Sequence, residues 1–417
     1  MMSERSEVLV IGGGVIGVCA AHYLAERGRP VTLVEQGDIA SGCSYGNAGL
    51  VVPSHSLPLA APGALASGLK WLLDSESPFY IKPRLDPGLV AWLLRFTAAA
   101  RPGPMRRAIR VLRDLSMAGR ALFDELAARG GFDFDYQPKG ALLVFNSRRG
   151  YEGGKEEAHL LQEYGLAAQV LEAAQAHTME PALHPEVVGA VYFPDDARLN
   201  PALFVRGLAD LARKKGACLR TSTEVLGFEI AGRKITRVKT TRGDFQPEQV
   251  ILAAGSWSPH VARDLRLNLP IQPAKGYSLT VRRPAVCPTY PLLLGEARAA
   301  ITPMRDTLRL GGTLELAGLD FSINERRLNA IVRAARRYLV DMGELETLEI
   351  WRGLRPCTPD GLPIIGRPPA FDNLIVAAGH AMLGMSLGPI TGKLVAQIVC
   401  GEPPALDLRA LRPERFS

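Results

Sequence analysis

The chain has 417 residues, of which 47% are hydrophobic, 22% charged and 6% aromatic, a balance that excludes wholesale disorder and a fibrous chain. At that length two domains of ordinary size are expected. The net charge of +7 falls short of a nucleic-acid-binding composition but permits anionic substrates or anionic lipid.

In chain order, residues 7–35 read as strand, glycine turn, helix and strand, one βαβ unit. Residues 36–66 are rich in Gly, Ser, Ala and Pro and read as a functional loop. A helical pattern runs over 65–129, with Met105, Ile109, Leu112 and Leu115 on one side and six arginines between 101 and 120 mainly on the other. A strand pattern follows at 140–145, and helical stretches at 152–164 and 201–215 flank a second at 188–200. A hairpin pattern begins after Cys218 and leads into a buried strand at 249–255. Residues 271–316 look like several sheet strands and 324–342 like a helix, and 373–400 repeats the opening order of strand, glycine turn and helix.

Six cysteines without a CxxC or paired spacing indicate neither a metal site nor a disulfide framework, and reduced thiols in a cytosol are expected. No secretory signal and no apolar run of eighteen residues is legible, so no membrane span is expected.

Gly12, Gly14 and Gly17 form a GxGxxG turn that would be weak alone, but Ala21, Leu24, Gly28, Val31 and Glu35 follow at the steps a dinucleotide-binding βαβ unit needs. Gly12 is expected to make the tight turn, Gly14 to let backbone amides approach a pyrophosphate, Gly17 to let the helix pack on the sheet, and Glu35 to accept from a ribose diol. A flavin is favoured over a nicotinamide for two reasons. The loop with Ser41, Ser44, Asn47 and Gly49 offers small polar groups just after the acid, and further glycine signals stand at Ala254-Gly255 and Gly379-His380.

GGGVIGVCAAHYL, SYGNAGLVVPSH with AAPG, FPDDARLNPALF, AAGSWS, PAKGYSLT, GLRPCTPDGLPIIG and AAGHAMLG occur here in that order. On these blocks, which span nearly the whole chain, the sequence resembles the D-amino-acid oxidase superfamily of FAD-dependent amine oxidoreductases, and within it the bacterial D-amino-acid dehydrogenases. The resemblance implies an α/β FAD-binding Rossmann-like domain (1–55, 196–268 and 350–417). Interleaved with it would be an α+β substrate domain (56–195 and 269–349) built on a mostly antiparallel sheet.

It also implies non-covalent FAD held at Gly12, Gly14, Val15, Ile16, Gly17, Glu35, Gln36, Ser44, Asn47, Ala48, Gly49, Val225, Ala254, Gly255, Gly379, His380, Met382, Leu383 and Gly384. Cys357 lies near the region where sarcosine-type relatives attach FAD covalently, but its spacing from TPD does not match theirs.

Arg355, in GLRP, is implied to grip a substrate carboxylate, with Arg352 as its rival; a planar guanidinium suits that task. Tyr277 is expected either to hydrogen-bond the carboxylate or to sit in the core. His380 is expected either to approach the flavin edge or to be structural. Met382 and Leu383 stand where some relatives carry a second basic residue, which favours a single clamp and an apolar or unusual side-chain pocket.

The implied activity is oxidative deamination of D-amino acids to 2-oxo acids and ammonia, with electrons passed to a quinone or dye. Alternatives are oxidation of a secondary amine such as hydroxy-D-proline, D-proline, sarcosine or an opine, an oxygen-using oxidase, and a non-catalytic FAD-stabilised subunit. Residues 65–120, with Trp71, Phe79, Tyr80, Trp92 and Phe96 before the arginines, are either a peripheral membrane face or a solvated basic one. The expected setting is cytoplasmic, with any membrane contact at the inner face of the cell membrane. No nucleic-acid partner and no metal are expected, and the oligomeric state is left open.

Overall fold

The computed structural model describes residues 4–61 and 77–416. The start of the 65–129 helical reading, Trp71 and the end of the AAPG block lie outside the described residues.

Two sheets carry the architecture. At the centre of the first, Glu4–Ile11 pairs in parallel with Val31–Val34 on one side and Phe245–Leu252 on the other. Cys218–Arg220 and Leu374–Ala378 extend this parallel row at its two ends. These strands are short apolar runs because helices or a hairpin cover both faces. Val15–Glu26, Pro201–Lys214 and Gly384–Cys400 pack in one core with Val8, Val10 and Leu33, while Leu9, Val34 and Leu252 pack in another with Ile235 and Val238 of the Val225–Ala231/Lys234–Thr240 hairpin. The helix Pro201–Lys214 starts where Asn200 accepts from Leu203 N at 3.1 Å and Pro201 fills a position needing no N–H donor.

The second sheet has nine strands and runs in the order 347–357, 272–282, 307–316, 299–303, 292–294, 141–145, 189–193, 169–172, with Phe79–Ile81 beside 307–316. It is mostly antiparallel, the parallel pairs being 292–294 with 141–145 and 307–316 with 79–81. Glu325–Tyr338 covers one face through Leu328, Ile331 and Ala335.

Three expectations need correction. Thr347–Cys357 is a strand of the second sheet, so the boundary at 350 falls inside it; pairing with Gln272–Arg282 over ten residue pairs outweighs its irregular polarity pattern. Pro102–Arg129, assigned by position to the substrate domain, packs Leu112, Leu115, Phe123 and Leu126 into the core beneath the first sheet. Within the described part of 65–129, Phe79–Ile81 is a strand, not helix.

Candidate active site

Because the central strands of the first sheet are parallel, their carboxyl ends lie along one edge. The turns that follow Ile11, Val34, Leu252 and Ala378 therefore converge, although they are up to several hundred residues apart in sequence. That edge is where open α/β sheets take ligands. It forms one wall of a cleft of about 2280 Å³, and the second sheet forms the other. A drug-sized site needs roughly 300–1,000 Å³, so the cleft has room for a large cofactor and a small substrate together.

At the first wall Gly12 has φ +115 and lies so close under Ala253 that a Cβ would strike the Ala253 carbonyl. Glu35 accepts from Gly13 N at 2.7 Å and from Gly37 N at 2.8 Å, which fixes its carboxylate at the lip of the cleft with lone pairs to spare. Ser44 Oγ accepts from Val15 N at 2.9 Å, capping the helix start and leaving its own proton to donate. Gly14, Val15, Ile16, Gln36, Ala48, Gly49, Val225, Ala254 and Gly255 also line the cleft, as do Met382, Leu383 and Gly384 at the head of the last helix.

Gly17 and Gly379 do not line it. A Cβ on Gly17 would fall on the Gly12 carbonyl, and Gly379 (φ +79) turns against Thr358, so both act by close packing. Asn47 reaches the cleft, but its amide holds the loop, donating to Cys43 O at 3.3 Å and accepting from Gly49 N at 2.9 Å.

On the second wall Arg355 projects over Gly276, where any Cβ would collide with the guanidinium. Its Nη1 donates to Thr313 O at 2.7 Å, and no carboxylate among the described residues lies within 4 Å of it. Burial pushes its proton affinity below the ordinary arginine value, with Cys43 and Cys357 as its nearest ionisable neighbours. Those thiols are pushed up by burial to about 11 and about 12, so they stay uncharged and do not neutralise it.

Thr313 is the residue that sequence reasoning missed. The register slips between Lys275 and Tyr277, placing an extra residue in 307–316, and Thr313 takes φ +63 there. A β-bulge re-aims a group; here it aims a carbonyl at Arg355 and leaves Thr313 Oγ1 buried without a partner. The glycine in KGYS was the available signal, since a residue without a side chain beside a long one marks close approach. The rival Arg352 also lines the cleft, but it falls on the opposite side of its strand from Arg355 and donates to Phe321 O at 2.6 Å.

Two expected site residues are engaged elsewhere. Tyr277 borders the cleft, but it is buried in the core beneath the 325–338 helix and its hydroxyl accepts from Asn324 N at 3.2 Å. Strand alternation puts it on the opposite side of its strand from Gly276, over which Arg355 lies. His380 borders the cleft, but its Nε2 meets Thr391 Oγ1 of the last helix at 3.0 Å, and burial pushes it down to about 3, so the ring is neutral and tied to that helix.

A family model described as FAD dependent oxidoreductase (DAO) matches residues 7–398. The chain belongs to that family. It is an FAD-dependent enzyme acting as an oxidoreductase. Among curated relatives, the D-amino acid dehydrogenase of Methylobacterium nodulans is 35% identical, covering 98% of this chain and 99% of that protein. The one from Paramagnetospirillum magneticum is 36% identical, covering 99% of each. Among solved structures, glycine oxidase from Geobacillus kaustophilus is similar with a TM-score of 0.80 at 26% identity, covering 98% of each chain. L-Proline dehydrogenase from P. horikoshii shares the fold, with a TM-score of 0.78 at 22% identity over 100% of this chain and 98% of that one.

The residues of this FAD-dependent oxidoreductase fit the cofactor. The turn at Gly12 and Gly14 has no side chain to obstruct a pyrophosphate, the Val15–Glu26 helix begins at the cleft, and the Glu35 carboxylate is fixed at its lip.

Proposed function

We propose that the protein oxidises D-amino acids at Cα to the imino acid, which water converts to a 2-oxo acid and ammonia. The observation that carries this reading is Arg355, a half-buried cation with no carboxylate partner among the described residues, in the cleft that also holds the Gly12–Glu35 cradle. Near full-length similarity to proteins named D-amino acid dehydrogenase supports it.

With Nη1 held by Thr313 O, the remaining guanidinium N–H groups are left for a carboxylate. Gripping the carboxylate fixes Cα, so the chain's main contribution is orientation. The amine must be neutral before Cα–H can leave as hydride, and its proton passes to water, since the neutral, Thr391-bound His380 does not serve as a base. When bound, FAD would supply the acceptor for the hydride, two electrons and one proton, lost from Cα. Glu35 and Ser44 would hold its ribose and pyrophosphate portions, and the amides heading the Gly384–Cys400 helix would face its pyrimidine edge.

Electrons then pass to a quinone or a dye-type acceptor, in a cytoplasmic setting. No helix among the described residues is long and apolar enough to cross a membrane. A peripheral contact would use Leu85, Val90 and Leu94, exposed on and just before Pro87–Ala99, together with the exposed Arg101, Arg106, Arg107 and Arg110. Two of the aromatics suggested for that face do not serve it: Trp92 is buried, donating to Cys357 O at 3.0 Å, and Phe96 stacks on it.

The test is anaerobic bleaching of the flavin by D-, L- and N-alkyl amino acids, followed by addition of quinone or air. Bleaching by primary D-amino acids with slow return in air and fast return with quinone is expected. Bleaching confined to cyclic or N-alkyl amines would assign a secondary-amine substrate instead, and immediate return in air an oxidase.

A further inference from the structure

The cleft continues beyond Arg355. On the second wall Ser278, Gly311, Ala300, Leu293 and Leu143 lie directly opposite one another on five adjacent strands and form a floor, small near Arg355 and apolar further out. Thr313, which anchors Arg355, is on the 307–316 strand, and Leu293 is two strands away, a distance of about 10 Å. Beyond Leu293 the wall becomes polar. Arg298 stands in the turn after the 292–294 strand, Glu157 faces the cleft from Arg148–Glu163, and His55 faces it from Pro53–Ser56.

Their hydrogen bonding is specific. Ser54 is buried and donates both its hydroxyl, at 2.6 Å, and its backbone N–H, at 3.1 Å, to the buried Asp196 carboxylate. With Asp196 ionised, Ser54 gives its proton away, so its Oγ is an acceptor, and His55 Nδ1 lies 3.3 Å from it. That assigns the ring proton to Nδ1 and leaves Nε2 with a free lone pair. Nε2 has no protein partner among the described residues and is not sealed from solvent. Burial, aided by the Arg298 charge, holds His55 down to about 4, so the ring is a neutral acceptor near pH 7. The Arg298 side chain makes no hydrogen bond and no ion pair within 4 Å among the described residues, yet its charge is felt by both Glu157 and His55.

Resting on the reading of Arg355 as the carboxylate clamp, we infer that His55, Arg298 and Glu157 form the side-chain subsite and select an uncharged side chain that both donates and accepts, an amide or a hydroxyl. Such a group would give its N–H or O–H to His55 Nε2 or Glu157 and take a hydrogen bond from Arg298. A cationic side chain meets Arg298 and an anionic one meets Glu157, so each gains from one group what it loses to the other. A purely apolar side chain leaves all three unmatched.

The test measures kcat/KM of the FAD-loaded enzyme for D-glutamine, D-asparagine, D-leucine, D-glutamate and D-lysine. Beside it, calorimetry measures binding of the Cα-methyl analogues of glutamine and leucine, which have no Cα–H and cannot be oxidised. D-Glutamine or D-asparagine is expected to lead. His55→Leu should lower the glutamine-to-leucine ratio by about 10-fold in both measurements, and His55→Gln should recover part of it because an amide oxygen can accept. Arg298→Met, at an exposed turn, should give a drop of similar size and carries the test if His55→Leu does not fold. Wild-type preference for leucine, or ratios unmoved in variants that still bind flavin, overturns the subsite and leaves the Arg355 reading standing. Failure of every amino acid to bleach the flavin overturns both.

Discussion

The two walls of the cleft are built in different ways. At the first, Gly12 to Glu35 is a continuous stretch of 24 residues in which each turn, helix face and strand end follows from local spacing. At the second, the surroundings of Arg355 come from Gly276, Thr313, Cys43 and Cys357, brought together only by strand pairing and the loop after Glu35. A site encoded locally fails by steric damage to one unit; a site assembled across strands fails by loss of one charge or one carbonyl.

The largest effect should come from damaging the local wall. Gly17→Ala places a methyl on the Gly12 carbonyl, and the purified variant should contain no flavin and melt far below the parent. A flavin-replete, active Gly17→Ala protein would mean the two walls do not differ in this way. Next, Arg355→Ala should keep its flavin yet lose about 2–5 kcal/mol of substrate-carboxylate recognition, read as a fall in kcat/KM. Arg355→Lys should recover little of it, because an ammonium cannot reproduce the fork that bridges Thr313 O and a carboxylate. Unaltered kinetics in either variant would remove Arg355 from the site.

A pH profile sharpens the contrast at intermediate size. His22 and His55 are pushed down by burial to about 4 and His380 to about 3, so the folded chain stays unprotonated there while the unfolded chain takes protons below about 6.5. Stability should therefore be full above about 6.5 and fall as pH drops toward 4. Asp196, pushed up by burial to about 7, acts with the opposite sign: between its ordinary value and about 7 the folded state binds the extra proton, so it favours the fold more at the acid end. Asp196→Asn should steepen the acid-side loss of Tm, and His380→Gln should flatten it. A Tm independent of pH from 4 to 7 in the parent would contradict the assignment of neutral buried rings. The smallest effect is expected from Ser44→Ala, which removes the acceptor for Val15 N and should cost about 1 kcal/mol of stability, with weaker flavin retention on dilution.

The same contrast explains what was legible in the sequence. Glycines at 12 and 14 and the acid at 35 declare their roles because a βαβ unit allows one geometry. Arg355 was legible only through the GLRP block, and neither its polarity pattern nor its spacing marked Thr347–Cys357 as a strand of the second sheet. Tyr277 and His380 were ambiguous because a strand offers two faces and a turn several directions, and nothing local decides between them. Thr313 and the His55, Arg298 and Glu157 group were invisible for a different reason: a bulge register and a meeting of three distant segments exist only once the sheets have formed.

The first sheet is not complete until Leu374–Ala378 docks beside Phe245–Leu252, and the Gly384–Cys400 helix then seals Val15 and Cys19. During synthesis, a chain that has exposed its opening glycine turn must wait for more than three hundred further residues before that turn has its neighbours. Such long-range closure makes assembly slow and leaves strand edges bare in the meantime. The nascent chain should therefore depend on chaperones until release, with the flavin loaded only afterwards.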